Sequence, residues 1–304
     1  MKIAFALTFL IASALVVSAQ PRSAPVPLPP VESVVVTGTK SPQALHEYVE
    51  AVAVPTRLAG KLARWEVPVC PVVVGLKPEA VRFITRRLRE VAAGARAPVS
   101  RDPKCHPNIQ IVFTTAPQTL IGSMRRKQSD LLGYYDTIAQ LDRMATVHLP
   151  IQAWYMTATH DVRGTLHIDS ARTEGMVLAG GVFPNARPFA TTASRLGDGL
   201  RASLHHVTIV ADPTKLLDYE MGPMADYIAV LALSRVASPD RCQSLPTITN
   251  LLTADCPRIP GGLSDIDLGY LRGLYHMNPE YSRKIQTHEV VYQVQQELIK
   301  AETR

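Results

Sequence analysis

Histidine and cysteine are the residues of this chain whose types and spacing bear on chemistry. His160 and His167 stand on either side of Gly164, and a hairpin there would set them facing each other, with His148 just upstream. Two or three neutral imidazoles on one side of a sheet are a plausible start for a divalent-metal site. His205 and His206 are adjacent, so on a regular strand they point to opposite faces and at most one of them joins any given site. The metal candidates are therefore His160, His167 and His206. The simpler expectation is that they are separate surface or hydrogen-bonded side chains, with no metal or other cofactor held. Signals for a nucleophile are missing: the chain has no G-x-S-x-G, and Gly180-Gly181 lacks the strand-then-helix setting of a phosphate loop.

The four cysteines are Cys70, Cys105, Cys242 and Cys256. An even count in an exported chain points to disulfides, and four cysteines allow three pairings. The local pairing, Cys70–Cys105 with Cys242–Cys256, closes loops of 35 and 14 residues and is the one expected. A tetrathiolate zinc site is the rival, disfavoured because no C-x-x-C pair is present.

The elements that must position these residues alternate in type. "WEVPVCPVVVGL" is rich in β-branched residues and reads as one or two strands broken at Pro71. "KPEAVRFITRRLREVAAGA" sets Val81, Ile84, Leu88 and Val91 at helical spacing, with Pro78 near its start and Gly94 near its end. "PNIQIVFTT" reads as a strand, "PQTLIGSMRRKQSDLLGYY" as helical, "QAWYMTATHD" and "GTLHID" as a strand and its hairpin partner, and "HHVTIVAD" as a further strand. Asp212 is an N-cap candidate for a helix starting near Pro213. Residues 170–200 read as a long irregular insertion. The tail "RKIQTHEVVYQVQQELIKAE" carries Ile285, Val290, Val294 and Leu298 on one stripe and should pack back on the domain. The fold class is α/β of the α+β kind: a mixed sheet with helices packed on it and closing C-terminal helices.

Composition bounds the setting. The chain has 304 residues, 46% hydrophobic and 19% charged, with a net charge of +6. Lys2, the apolar run over residues 3–17 and the small residues Val17-Ser18-Ala19 have the layout of a cleaved signal peptide, placed at residues 1–19. No later stretch approaches the roughly 20 apolar residues of a membrane span. The expected location is periplasmic or secreted, which argues against a nucleic-acid partner; "RFITRRLRE" reads as the solvated face of a helix. Residues 20–60 read as a proline-rich linker and leader, and residues 61–304 as one domain. Within the leader, "VESVVVTGTK" resembles the TonB box near the start of TonB-dependent receptors, although the chain is too short for their plug and 22-stranded barrel.

"PMADYIAVLALSR", a cysteine-bounded loop and "LSDIDLGYLRGLY" stand in the order found at the end of a metzincin-type zinc metalloprotease, and the stretch from Ala225 to Tyr275 resembles that half of the family. The last of these matches the family's closing helix, L-S-x-x-D-x-x-x-[LI]-x-x-[LI]-Y. The resemblance implies a zincin-like domain, as in degenerate exported relatives of this kind in Gram-negative bacteria that have no assigned activity. The family's H-E-x-x-H-x-x-G-x-x-H helix falls here on Ala225, Asp226, Ala229, Ala232 and Arg235, and its methionine turn on Ile248 or Thr249. No histidine lies between His206 and His276, so no shift of register restores the motif. Asp226 keeps a carboxylate where the family's base would stand, but without a metal it has no bound water to activate.

The helix is thus expected to be structural, with Leu217, Met224, Ile228 and Leu231 on its apolar face and Asp226 in a salt bridge or a cap. A non-catalytic binding or structural role is the favoured expectation. The alternatives are a hydrolase with an unorthodox site drawn from His206, His167 or Asp226, and an envelope accessory protein docked through residues 31–40 to a periplasmic or envelope partner.

Overall fold

The computed structural model describes residues 41–170, 176–178, 181–183, 189–237, 242–257 and 259–303. The signal peptide and the TonB-box-like segment fall outside these residues. Strands β1 (Pro71–Val74), β2 (Ile109–Phe113), β3 (Ile151–His160), β4 (Leu166–Ile168) and β7 (Arg201–Ala211) form a five-stranded sheet in the order β1-β2-β7-β3-β4. β1, β2 and β7 run parallel, and β3 and β4 are antiparallel to their neighbours. The sheet is therefore mixed and the class α+β. Strands β5 (Met176–Leu178) and β6 (Gly181–Phe183) pair as a separate ribbon inside the stretch read as irregular.

Seven α-helices accompany the sheet among the described residues: α1 (Pro42–Val52), α2 (Pro78–Gly94), α3 (Pro117–Lys127), α4 (Ile138–Met144), α5 (Met221–Leu233), α6 (Asp265–His276) and α7 (Arg283–Glu302). The main core lies on one face of the sheet. Ile109, Ile111 and Phe113 of β2 and Val207, Ile209 and Ala211 of β7 pair residue for residue, so they share that face, and α2 and α5 pack there. On the other face α3, α4 and the turn Ser129–Leu132 cover Trp154 and Val210 through Ile121, Leu132 and Leu141. α6 and α7 approach closely because Gly269 and Gly273 line their seam. A Cβ on either glycine would lie 2.9 Å from the Cα of Val294 or Val290.

Several local expectations change. α1 lies inside the segment read as leader, yet Leu45, Tyr48, Val49 and Val52 are buried against α7 and the core. Pro71 opens β1 instead of breaking a strand, and Val69 makes only an isolated bridge to Val99. Asp212 caps a 3-10 turn, Pro213–Lys215, through a 3.0 Å bond from the Thr214 amide; α5 starts only at Met221. Leu217 consequently lies outside the helix and is 82% exposed, while Met224, Ile228 and Leu231 are buried as expected. On α7 the buried positions include Gln286 and Thr287 in place of Ile285. Gln286 accepts from the Leu62 amide at 3.0 Å and donates to the Pro279 carbonyl at 2.9 Å.

The disulfides are Cys70–Cys105 and Cys242–Cys256. The second closes the loop that leads from α5 into the buried turn Ile248–Asn250. Replacing Cys242 and Cys256 together by serine is expected to cost about 3 kcal/mol through loop entropy released to the unfolded chain. A urea titration reads this as a lower midpoint. An unchanged midpoint would mean that the loop is held without the bond.

Candidate functional site

α5 is buried on every side, from Met224 to Leu233, which its run of alanine and aliphatic residues permits. Ala225 and Ala229 have 0% exposure. The C-terminal carbonyls of the helix are satisfied by side chains: Trp65 Nε1 donates to Ala232 and Tyr275 Oη to Leu233, each at 2.8 Å. Asp226 is 2% exposed and fully committed. Arg87 of α2 grips it through Nε at 2.6 Å and Nη2 at 3.1 Å, and the Leu263 amide donates to it at 2.8 Å. The hydrogen bond to Asp226 holds the Arg87 guanidinium above its ordinary value. This carboxylate is a strut joining α2, α5 and the approach to α6, as a salt-bridging role requires.

The turn Ile248–Asn250 is equally closed. Ile248 and Thr249 are buried, and Asp267 of α6 ties the turn down. Its carboxylate accepts from Thr247 Oγ1, the Ile248 amide, Tyr48 Oη, and the amide and hydroxyl of Ser264. Ser264 and Asp267 form a capping box at the start of α6. Burial pushes the Asp267 carboxyl above its ordinary value, opposed by the bonds from Thr247, Ser264 and Ile248.

His160 and His167 do not face each other across their hairpin. In the β3–β4 hairpin His160 pairs with Leu166 and His167 with Thr159, so this one-residue offset sets the two histidines on opposite faces. His167 stacks edge-on against Phe189 with its Nε2 3.8 Å from Asp161 Oδ2. His148 is exposed ahead of β3. No cluster of three or more metal-ligating side chains occurs among the described residues.

His205 and His206 also depart from regular alternation. The β3–β7 register shifts between Met156 and Thr157: Met156 pairs with His206 and Thr157 with Leu204, which leaves His205 as the extra residue of a β-bulge. Both histidines therefore line one cavity of about 630 Å3 on the second face, together with His160, Ser203, Glu66 and His106. His160 Nε2 lies 3.0 Å from Ser203 Oγ and 3.5 Å from Glu66 Oε2, and Arg201 Nη1 lies 3.5 Å from Glu66 Oε1. His206 Nε2 is buried with no hydrogen-bond partner among the described residues. Burial lowers the pKa of both imidazoles, against the pull of Glu66 on His160 and with the help of His205 on His206. Sequence reasoning missed Ser203 and Glu66, since neither sits in a recognisable motif.

A second cavity, of about 540 Å3, runs along β3 on the side away from β7, lined among others by Pro55, Thr56, Gly133, Tyr134, Tyr155 and Arg235. β4 pairs with β3 only over residues 158–160, so among the described residues the outer edge of β3 has no strand partner over residues 151–157. The Thr157 carbonyl accepts from Asp169 N–H on that side at 2.9 Å, and by alternation the backbone groups of Ala153 and Tyr155 point the same way. Arg235 enters this cavity and donates to the Pro55 carbonyl. Burial lowers its guanidinium, with Tyr155 and Asp169 acting in the opposite direction. Comparison with protein-family models, curated proteins and solved structures returns no match.

Proposed function

We propose that this chain is an exported binding protein on a metalloprotease-like scaffold, and that it takes an extended peptide along the free edge of β3. The disulfides support an oxidising compartment, periplasmic or extracellular. No helix among the described residues is long and apolar enough to cross a membrane. The metalloprotease-like reading is supported by the order strand, helix, strands, buried helix, closing helix, and by the capping box at Ser264 and Asp267. Packing of Ala225 and Ala229 and the commitment of Asp226 support a structural part for α5.

The single observation that carries the binding role is the edge of β3 over residues 151–157, which has no strand partner among the described residues and faces a cavity. An open strand edge presents a row of unpaired N–H and C=O groups, the template for an added strand. Backbone bonds there supply affinity without regard to sequence, and the Arg235 guanidinium favours a carboxylate on the incoming peptide. A panel of extended decapeptides, acidic and neutral, titrated against the folded chain provides the test. The expected binder is acidic, protects the Ala153 and Tyr155 amides from hydrogen exchange and weakens about tenfold or more with Arg235→Ala, as for a lost charge-assisted bond. Absence of protection at these amides across the panel would remove the peptide reading.

A further inference from the structure

We propose that the histidine-lined cavity on the second face of the sheet is an acyl-transfer site for short-chain carboxylic esters, with Ser203 as nucleophile and His160 as its general base. It is a separate cavity from the one along the edge of β3 and does not depend on peptide binding there. Four features of the geometry point to it. Ser203 Oγ and His160 Nε2 are 3.0 Å apart, within the reach a nucleophile and its base require. The Glu66 carboxylate lies 3.5 Å from the same nitrogen, where it stabilises the imidazolium that forms when the serine proton arrives. Arg201 holds Glu66 from the other side at 3.5 Å. His206 lines the same cavity, and its Nε2, closed off from the cavity and without a partner among the described residues, becomes as its Nε2–H tautomer a donor for a developing oxyanion when the ring turns toward the acyl carbon. Met156, Leu131 and Leu166 supply apolar wall for a short acyl chain.

The arrangement differs from a Ser-His-acid triad in one respect. The carboxylate approaches the nitrogen that faces the serine, so it acts by charge and not by fixing the ring through the other nitrogen. The step balances without a further reagent. Ser203 Oγ bonds to the ester carbonyl carbon and its proton passes to His160 Nε2. The bond from carbon to the leaving oxygen breaks, and His160 gives that oxygen the proton. Water, deprotonated by His160, then adds to the acyl carbon, and the carboxylic acid leaves as Ser203 regains its proton. The bulge at His205 is what brings Ser203 and His206 into one cavity, because on an unbroken strand a three-residue separation puts side chains on opposite faces.

A fluorophosphonate probe, read by intact mass and peptide mapping on the folded chain, tests the nucleophile, and p-nitrophenyl acetate tests turnover. One adduct on Ser203 is expected, lost in Ser203→Ala together with hydrolysis. His160→Gln should slow labelling by about 10²-fold or more. His206→Leu should lower kcat by about 10²-fold with KM little changed, whereas a merely structural histidine would leave that split unaltered in a variant with a normal melt. Should Ser203→Ala fail to fold, Ser203→Cys preserves the contact with His160 and is expected to react with iodoacetamide faster than an ordinary thiol. No adduct on folded wild type, an adduct elsewhere, or an ordinary rate for Ser203→Cys would overturn the proposal. None of these outcomes bears on peptide binding at the edge of β3.

Discussion

The variant Ala225→His/Ala229→His should be severely destabilised, by roughly 3–6 kcal/mol, from two overpacking terms and two buried polar rings. Both alanines have 0% exposure in a helix enclosed by α2, the sheet, α6 and the turn Ile248–Asn250. The only carboxylate beside them on the helix, Asp226, is already held by Arg87 and the Leu263 amide. An added imidazole therefore meets filled space and finds no partner. Thermal melts with and without zinc, scored against the shift that zinc causes in wild type, decide the matter. A loss that zinc does not relieve is the expected result. Near-neutral melts, or stabilisation by zinc beyond that of wild type, would show that α5 borders an open cleft able to hold a metal and would end the non-catalytic reading of that helix.

Asp267→Ala should cost roughly 4–5 kcal/mol, since it strands buried donors that now share one carboxylate. The donors are Tyr48 Oη, Thr247 Oγ1, the Ile248 amide and both donors of Ser264. Asp267→Asn should cost much less, about 1–2 kcal/mol, because its oxygen can face Ile248 and Ser264 while the Thr247 and Tyr48 hydroxyls turn to accept from the amide. Equal losses for the two variants would mean that charge, and not donor satisfaction, matters at this position. The pH dependence has a definite sign. Burial raises the folded-state carboxyl above its unfolded value. Its contribution is then fully present below the unfolded value and is lost as pH rises through the folded one. The stability gap between wild type and Asp267→Asn should accordingly narrow from pH 4 toward neutrality, and a gap that widens would reverse the assigned shift.

Much of the framework was legible without coordinates. The 3- and 4-residue spacing of Ile84, Leu88 and Val91 marks α2, the stretch "PNIQIVFTT" reads as the strand β2, and the pattern of "LSDIDLGYLRGLY" places the closing helix α6. α1 was legible too and was overlooked: Leu45, Tyr48, Val49 and Val52 keep helical spacing, obscured by the proline-rich stretch before them. The distance of Leu217 from Met224 suits one buried helix face, but the capped turn at Asp212 delays the helix by two turns.

The sequence by itself determined which elements form and what α5 lacks, because side-chain periodicity, caps and the absence of histidine are properties of neighbouring residues. It could not determine which histidines meet. That depends on register between strands far apart in the chain, and a single step of register moves a side chain to the other face. The offset that separates His160 from His167, and the bulge that turns His205 and His206 into the cavity of Ser203, both arise in pairings formed only as β3, β4 and β7 come together. Likewise Arg87 reads locally as one more charge on a solvated helix face. It becomes the partner of Asp226 only because α2 and α5, 139 residues apart at that contact, pack against the same face of the sheet.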